Sequence, residues 1–109
     1  MKLNVLERVT LMGILPAEAN LVTFKILTDL KKSLSFSEKE IKDFGIMQKE
    51  GRIFWKKSTD KEIAFGEQAK ILVKAALQKI DADGKVNDGN YSLFEKFQPE
   101  IAPVMKVEK

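Results

Sequence analysis

The sequence contains neither cysteine nor histidine, and these two absences exclude several classes of protein. Without cysteine no disulfide can form, and without either residue the usual nitrogen and sulfur ligands of zinc, copper and haem are missing. Nucleophiles activated by histidine are excluded for the same reason. We therefore predict a fold stabilised by packing. An enzyme without these residues would have to use carboxylates, lysines or a bound magnesium ion, which is a third hypothesis for the function. No convincing site of that kind is evident, so we predict no catalytic residues, no metal site, no cofactor and no small-molecule substrate.

Long hydrophobic runs are also absent. No stretch approaches the roughly 20 apolar residues that a membrane span needs. The apolar run 9–15 is at the lower limit for a secretion signal and has Glu7 among its flanking basic residues, so we expect no cleavage. A length of 109 residues fits one core. We expect one cytoplasmic domain over residues 1–98 and a tail, 99–109, without periodicity.

Apolar residues recur at helical spacing in the first third of the chain. Residues 4–15 predict a helix that turns Glu7 and Arg8 away from the core. A second helix, beginning after Asn20 as its cap, is predicted to pack on the first as an antiparallel hairpin. The predicted core face of the first helix comprises Val5, Leu6, Val9 and Met12.

The middle of the chain changes from helical to strand periodicity. Ser37 and Glu40 have the spacing of a capping box, which predicts a short helix over 38–44 that ends at Gly45. Three extended segments follow, 46–49, 52–57 and 61–65, separated by turn-like residues. They predict a three-stranded antiparallel meander.

A long amphipathic helix from Glu67 to about Ile80 and a short last helix capped by Asn90 complete the predicted α+β fold. The polar loop between them has acidic residues at calcium-ligand spacing around Gly84, with Asp81 and Asp83 before it. Lys79 and Asn90, however, occupy the positions where an EF-hand loop has its first aspartate and its last glutamate. We interpret this segment as a plain connection between two helices.

The predicted hairpin 48–61 combines aromatic and basic side chains, and it is the candidate binding surface. Phe54 and Trp55 are the candidate contacts for a protein partner or for a second copy of the chain. The alternative is a small nucleic-acid-binding regulator, since basic residues surround the two aromatic ones. These basic residues are Lys49, Arg52, Lys56, Lys57 and Lys61.

The stretch 6–12, LERVTLM, with Leu15 and Pro16 after it, and the order of the predicted elements resemble small proteins encoded by bacteriophages and prophages. The resemblance rests on no functional motif and brings no catalytic residue. It implies a short phage product that binds a protein or a nucleic acid in the cytoplasm of the host cell. A non-enzymatic interaction module is therefore the function we expect.

Overall fold

A computed structural model describes residues 1–98, and the predicted tail 99–109 lies outside the described residues. The fold is α+β, as predicted from the sequence. In chain order the elements are β1 (Lys2–Leu3), α1 (Val5–Ile14), α2 (Leu21–Leu34), α3 (Glu38–Phe44), β2 (Met47–Lys49), β3 (Arg52–Phe54), β4 (Lys61–Glu62), α4 (Glu67–Ala82) and α5 (Tyr91–Phe97).

Local signals set the ends of the helices. The Ser37 hydroxyl accepts from the Glu40 amide at 3.1 Å, and the Glu40 carboxylate accepts from the Ser37 amide at 2.9 Å, which confirms the capping box of α3. Gly45 ends α3 with φ 64°, in the left-handed region that favours glycine. Asn20 caps α2 by accepting from the Thr23 amide at 2.9 Å.

Four helices and the sheet β1–β4 enclose the core. α1 and α2 contribute mainly leucines to it, and α5 contributes Leu93 and two phenylalanines, Phe94 and Phe97. The Phe65 and Phe97 rings meet edge to face at 5.1 Å, a favourable aromatic geometry. The buried hydrophobic residues of this cluster are Leu3, Leu11, Leu15, Leu27, Leu30, Leu34, Ile63, Ala69, Val73, Leu77, Leu93, Phe94 and Phe97.

The predicted core face of α1 is correct only in part. Val5 is buried and Met12 packs against the core, as predicted, but Leu6 is 39% exposed. The helix instead buries Glu7 and Arg8, which were predicted to face away from the core. A charge inside an apolar stripe usually indicates a surface position, but here both charged groups have ionic partners within the fold. The side chains of Glu7 and Arg8 therefore connect α1 to other elements.

The predicted meander is also wrong, because the strands form two separate two-stranded sheets. β2 and β3 form a hairpin, while β4 pairs antiparallel with β1. The chain turns away from the hairpin after β3, where the Phe44 carbonyl accepts from the amides of Lys56 and Lys57. The pairing of β1 with β4 brings Leu3 and Ile63, both buried, into the core.

The predicted cap of the last helix differs from the structure. Asn90 occupies the cap position of α5, as predicted, but its side chain accepts a hydrogen bond from the Asn87 amide at 2.9 Å and none from the amides of α5.

Within residues 1–98, no helix is long and apolar enough to cross a membrane.

Candidate binding surface on the β-hairpin

The hairpin β2–β3 has a two-residue turn at Glu50 and Gly51, which fixes its register. Both turn residues have positive φ, 53° and 75°, as type I′ turns require. Lys49 consequently lies directly opposite Arg52, and Met47 lies opposite Phe54. Sequence reasoning identified the turn, and the pairing follows from it.

One face of the hairpin is both basic and apolar. Because side chains alternate between faces along a strand, Met47, Lys49, Arg52 and Phe54 share one face, and Gln48 and Ile53 share the other. We call the first four the hairpin face. All four are exposed, and Phe54 and Met47 retain 48% and 55% of their accessible surface.

The cross-strand pair on this face is electrostatically unfavourable. Lys49 and Arg52 are directly opposite each other, where side chains interact at roughly 4.5–5.5 Å between Cβ atoms and like charges destabilise the sheet. Neither residue forms an ion pair within residues 1–98. The positive charge at the end of the hairpin is therefore not neutralised by the described part of the chain.

The net charge of the protein is concentrated in this region. The segment 47–57 holds four basic residues and one acidic residue. Its net charge of +3 equals the formal net charge of the entire chain. The remaining 98 residues carry 15 basic and 15 acidic side chains. A charged surface of one sign attracts partners of the opposite sign and raises their rate of association.

The two lysines after β3 continue the basic surface. Lys56 and Lys57 are exposed, and their amides donate to the Phe44 carbonyl at 2.7 and 3.0 Å. A Cβ atom added to Gly45 would lie 3.2 Å from the Lys56 side chain, so the backbone at Gly45 approaches Lys56 closely. These contacts fix the base of the hairpin to the end of α3.

Two of the predicted site residues differ from the expectation. Lys61 lies in β4, in the other sheet, and is therefore not part of the hairpin. Its ammonium is 3.7 Å from the Glu40 carboxylate, so its charge is paired, unlike those of Lys49 and Arg52 within residues 1–98. Trp55 lies just after β3 and is half-buried, which leaves Phe54 as the exposed aromatic residue of the hairpin. The hairpin itself spans 47–54 and not 48–61.

A buried arginine anchors α3 to the helices. Arg8 is fully buried, and its guanidinium donates to the Glu40 carboxylate at 2.8 Å. It also donates to the carbonyls of Leu34 and Ser35 at the end of α2, at 3.1 and 2.6 Å, where helix carbonyls lack partners. Its Cζ atom lies 4.0 Å from the centroid of the Phe36 ring, a cation–π distance. Through Glu40, this single side chain joins α1, α2 and α3.

The hydrogen bonds from Arg8 lower the pKa of Glu40 to about 2, although partial burial acts in the opposite direction. At Glu7 burial raises the pKa, but the bonds from Lys96 and from the Asn4 amide outweigh it, so the pKa is lowered. The Lys96 ammonium lies 2.7 Å from the Glu7 carboxylate. Because these carboxylates remain ionised and paired, they stabilise the fold and are poorly suited to proton transfer.

The polar loop around Gly84 gathers no metal site. Nowhere in residues 1–98 do three or more acidic side chains come together in a way that could hold a metal ion. Gly84, at φ 69°, follows the end of α4, as expected for a glycine after a helix.

A second exposed apolar surface lies at the start of α2, and the sequence analysis missed it. Leu21, Val22 and Phe24 are 84%, 74% and 43% exposed. The sequence could have indicated this exposure, because these residues lie in the first turn of α2, outside the buried stripe of Leu27, Leu30 and Leu34. The exposed side chain of Lys25, four residues after Leu21 on the same helix, lies beside this surface.

The arrangement defines a small α+β protein with an exposed basic hairpin. Comparison of the chain with protein-family models, with curated proteins and with solved structures gives no match.

Proposed function

We propose that this protein is a non-enzymatic interaction module that binds a macromolecular partner through the hairpin face. The observation that carries the proposal is the position of Phe54 and Met47. These two large apolar side chains are exposed beside two cations, Lys49 and Arg52, that form no ion pair within residues 1–98. Aromatic residues, methionine and arginine are enriched in protein interfaces, and the hairpin face has one of each in Phe54, Met47 and Arg52. The non-enzymatic character of the proposal is supported by Glu7 and Glu40. Both carboxylates have a lowered pKa because they form ion pairs inside the fold, which is a structural role.

Two classes of partner are compatible with this surface. The apolar pair Met47 and Phe54 supports a protein partner or a second copy of the chain, since aromatic and methionine side chains are enriched in protein interfaces. The net charge concentrated in 47–57 supports a nucleic acid. The resemblance to phage proteins adds a context to the proposal, in which the partner is a phage or host component in the bacterial cytoplasm.

The test compares two variants, each of which replaces two exposed apolar side chains on a different surface. Met47→Ser with Phe54→Ser changes the hairpin face, and Leu21→Ser with Val22→Ser changes the start of α2, which is more exposed. Each protein is used for affinity capture from a bacterial extract, with and without nuclease, and for sedimentation velocity to measure self-association. The melting temperature of each variant is measured first, to show that it is folded.

We expect the hairpin variant to lose the captured partner or the self-association, and the α2 variant to retain it. A protein partner survives nuclease treatment, whereas a nucleic acid does not. Identical capture and sedimentation for all three proteins would contradict the role of the hairpin face.

A further inference from the structure

The positive surface of the hairpin extends over a distance that suits a polymer. Lys49 and Arg52 lie beside the turn, and Lys56 follows Arg52 by four residues, up to roughly 13 Å along an extended chain. A single small anion cannot contact both groups at once. A polyanion that follows the strands can contact all of them, so charge complementarity favours a polymer.

The ring of Phe54 distinguishes between two kinds of polyanion. It lies on the same face as Arg52, two residues further along β3, or roughly 7 Å away. The aspartate and glutamate side chains of an acidic polypeptide carry negative charge but no flat ring that could stack on Phe54. A nucleic acid offers both, because each nucleotide pairs a phosphate with a base that stacks on aromatic side chains.

Stacking on Phe54 also distinguishes single strands from duplexes. In a duplex the faces of the bases are covered by their neighbours, and only an unpaired strand can turn a base onto a protein ring. The hairpin presents its ring on an open strand surface, with cations on the same face. Such platforms of aromatic and basic residues bind single strands with little sequence preference.

We infer that the hairpin face binds single-stranded nucleic acid, with Phe54 stacked on a base and Lys49 and Arg52 in contact with the neighbouring phosphates. This inference rests on the proposed function and names its partner. Lys56 and Lys57 continue the phosphate contacts beyond β3. The unfavourable pairing of Lys49 with Arg52 is relieved when a phosphate lies between the two cations.

The inference is tested by fluorescence anisotropy of a labelled, mixed-sequence single strand with the full chain. Four phosphate contacts predict a slope of about −3 for log affinity against log salt, or about a 50-fold loss between 50 and 200 mM salt. Lys49→Gln with Arg52→Gln is expected to reduce this slope by about half. The matched control, Lys25→Gln with Lys32→Gln, removes the same charge from exposed positions of α2 and is expected to leave the slope unchanged.

The stacking step has its own pair of variants. Phe54→Leu is expected to weaken binding by roughly 5- to 150-fold, the effect of losing one stacked base, whereas Phe54→Tyr retains it. Phe24→Leu, at a phenylalanine of similar exposure on α2, is expected to have no effect. Equal affinity for wild type and Phe54→Leu would overturn the stacking.

Competition with duplex DNA of the same sequence and with polyglutamate separates the remaining outcomes. Weaker competition by both supports the inference. Polyglutamate that competes as well as the single strand overturns it and leaves the hairpin as a surface for acidic proteins. No binding of any polyanion at low salt also overturns it, while the proposed function is decided independently by the capture and sedimentation experiments with the Met47 and Phe54 variants.

Discussion

Replacement of Arg8 by methionine tests whether one buried side chain anchors the base of the hairpin. The change removes the donors to Glu40, Leu34 and Ser35 and the stacking on Phe36. Breaking a buried ion pair from one side typically costs about 3–5 kcal/mol, because the remaining charge lacks a partner. Since the Glu40 side chain is 17% exposed and water can reach it, we expect a loss of about 3 kcal/mol.

The free energy of unfolding is measured by urea titration, followed by circular dichroism. A loss of about 3 kcal/mol corresponds to a fall of roughly 10–20 °C in the melting temperature of a domain of this size. The chain provides a matched control, since its other arginine, Arg52, is exposed and unpaired in the described residues. Arg52→Met is expected to change stability by less than about 0.5 kcal/mol.

A double-mutant cycle with Glu40→Gln assigns the effect to the pair. The two changes are expected to be less than additive, with a coupling of about 2 kcal/mol, since each variant alone leaves a charge without its partner. Additive effects, or a loss below about 1 kcal/mol for Arg8→Met, would refute the reasoning.

Three other predictions follow from the same contacts. The pKa of Glu40, about 2 in the folded protein against 4.5 ordinarily, means that the unfolded state binds more protons at acid pH. The contribution of ionised Glu40 to the free energy of unfolding is therefore fully present above about pH 5 and falls by about 3 kcal/mol towards pH 2. Urea titrations of Glu40→Gln should show a smaller fall over this range than those of wild type. Gly45→Ala is expected to cost about 1–2 kcal/mol because Gly45 has φ 64°, and an unchanged thermal melt would contradict this. Arg52→Glu places an acid opposite Lys49, so we expect binding of single strands to fall at least tenfold by anisotropy while the melting temperature stays equal or rises; a joint loss of both would indicate a structural role.

The helices could be predicted from the sequence because their signals are local. The capping box of Ser37 and Glu40, the cap at Asn20 and the glycine at position 45 each act over a few residues, and the structure confirms all three. The burial of Arg8 could not be predicted in this way. Its partners are 26 to 32 residues away in the chain, so the local pattern indicated only a charge.

For the sheets and the binding surface as well, local features could be predicted from the sequence and contacts between distant residues could not. β1 and β4 have two residues each, too few for a strand period, and their pairing joins distant parts of the chain. In the hairpin the residue types indicated Phe54 and the neighbouring cations, but their shared face depends on the register set by Glu50 and Gly51. Lys61 was misplaced because the chain leaves the hairpin after β3.

The most direct test of the binding surface is a nuclear magnetic resonance titration of the labelled full chain with a short single-stranded oligonucleotide. The account predicts that the largest changes in amide chemical shift occur in residues 47–57 and weaken as salt is added. Changes centred on Leu21 and Val22 at the start of α2, or no changes in the hairpin at low salt, would contradict it.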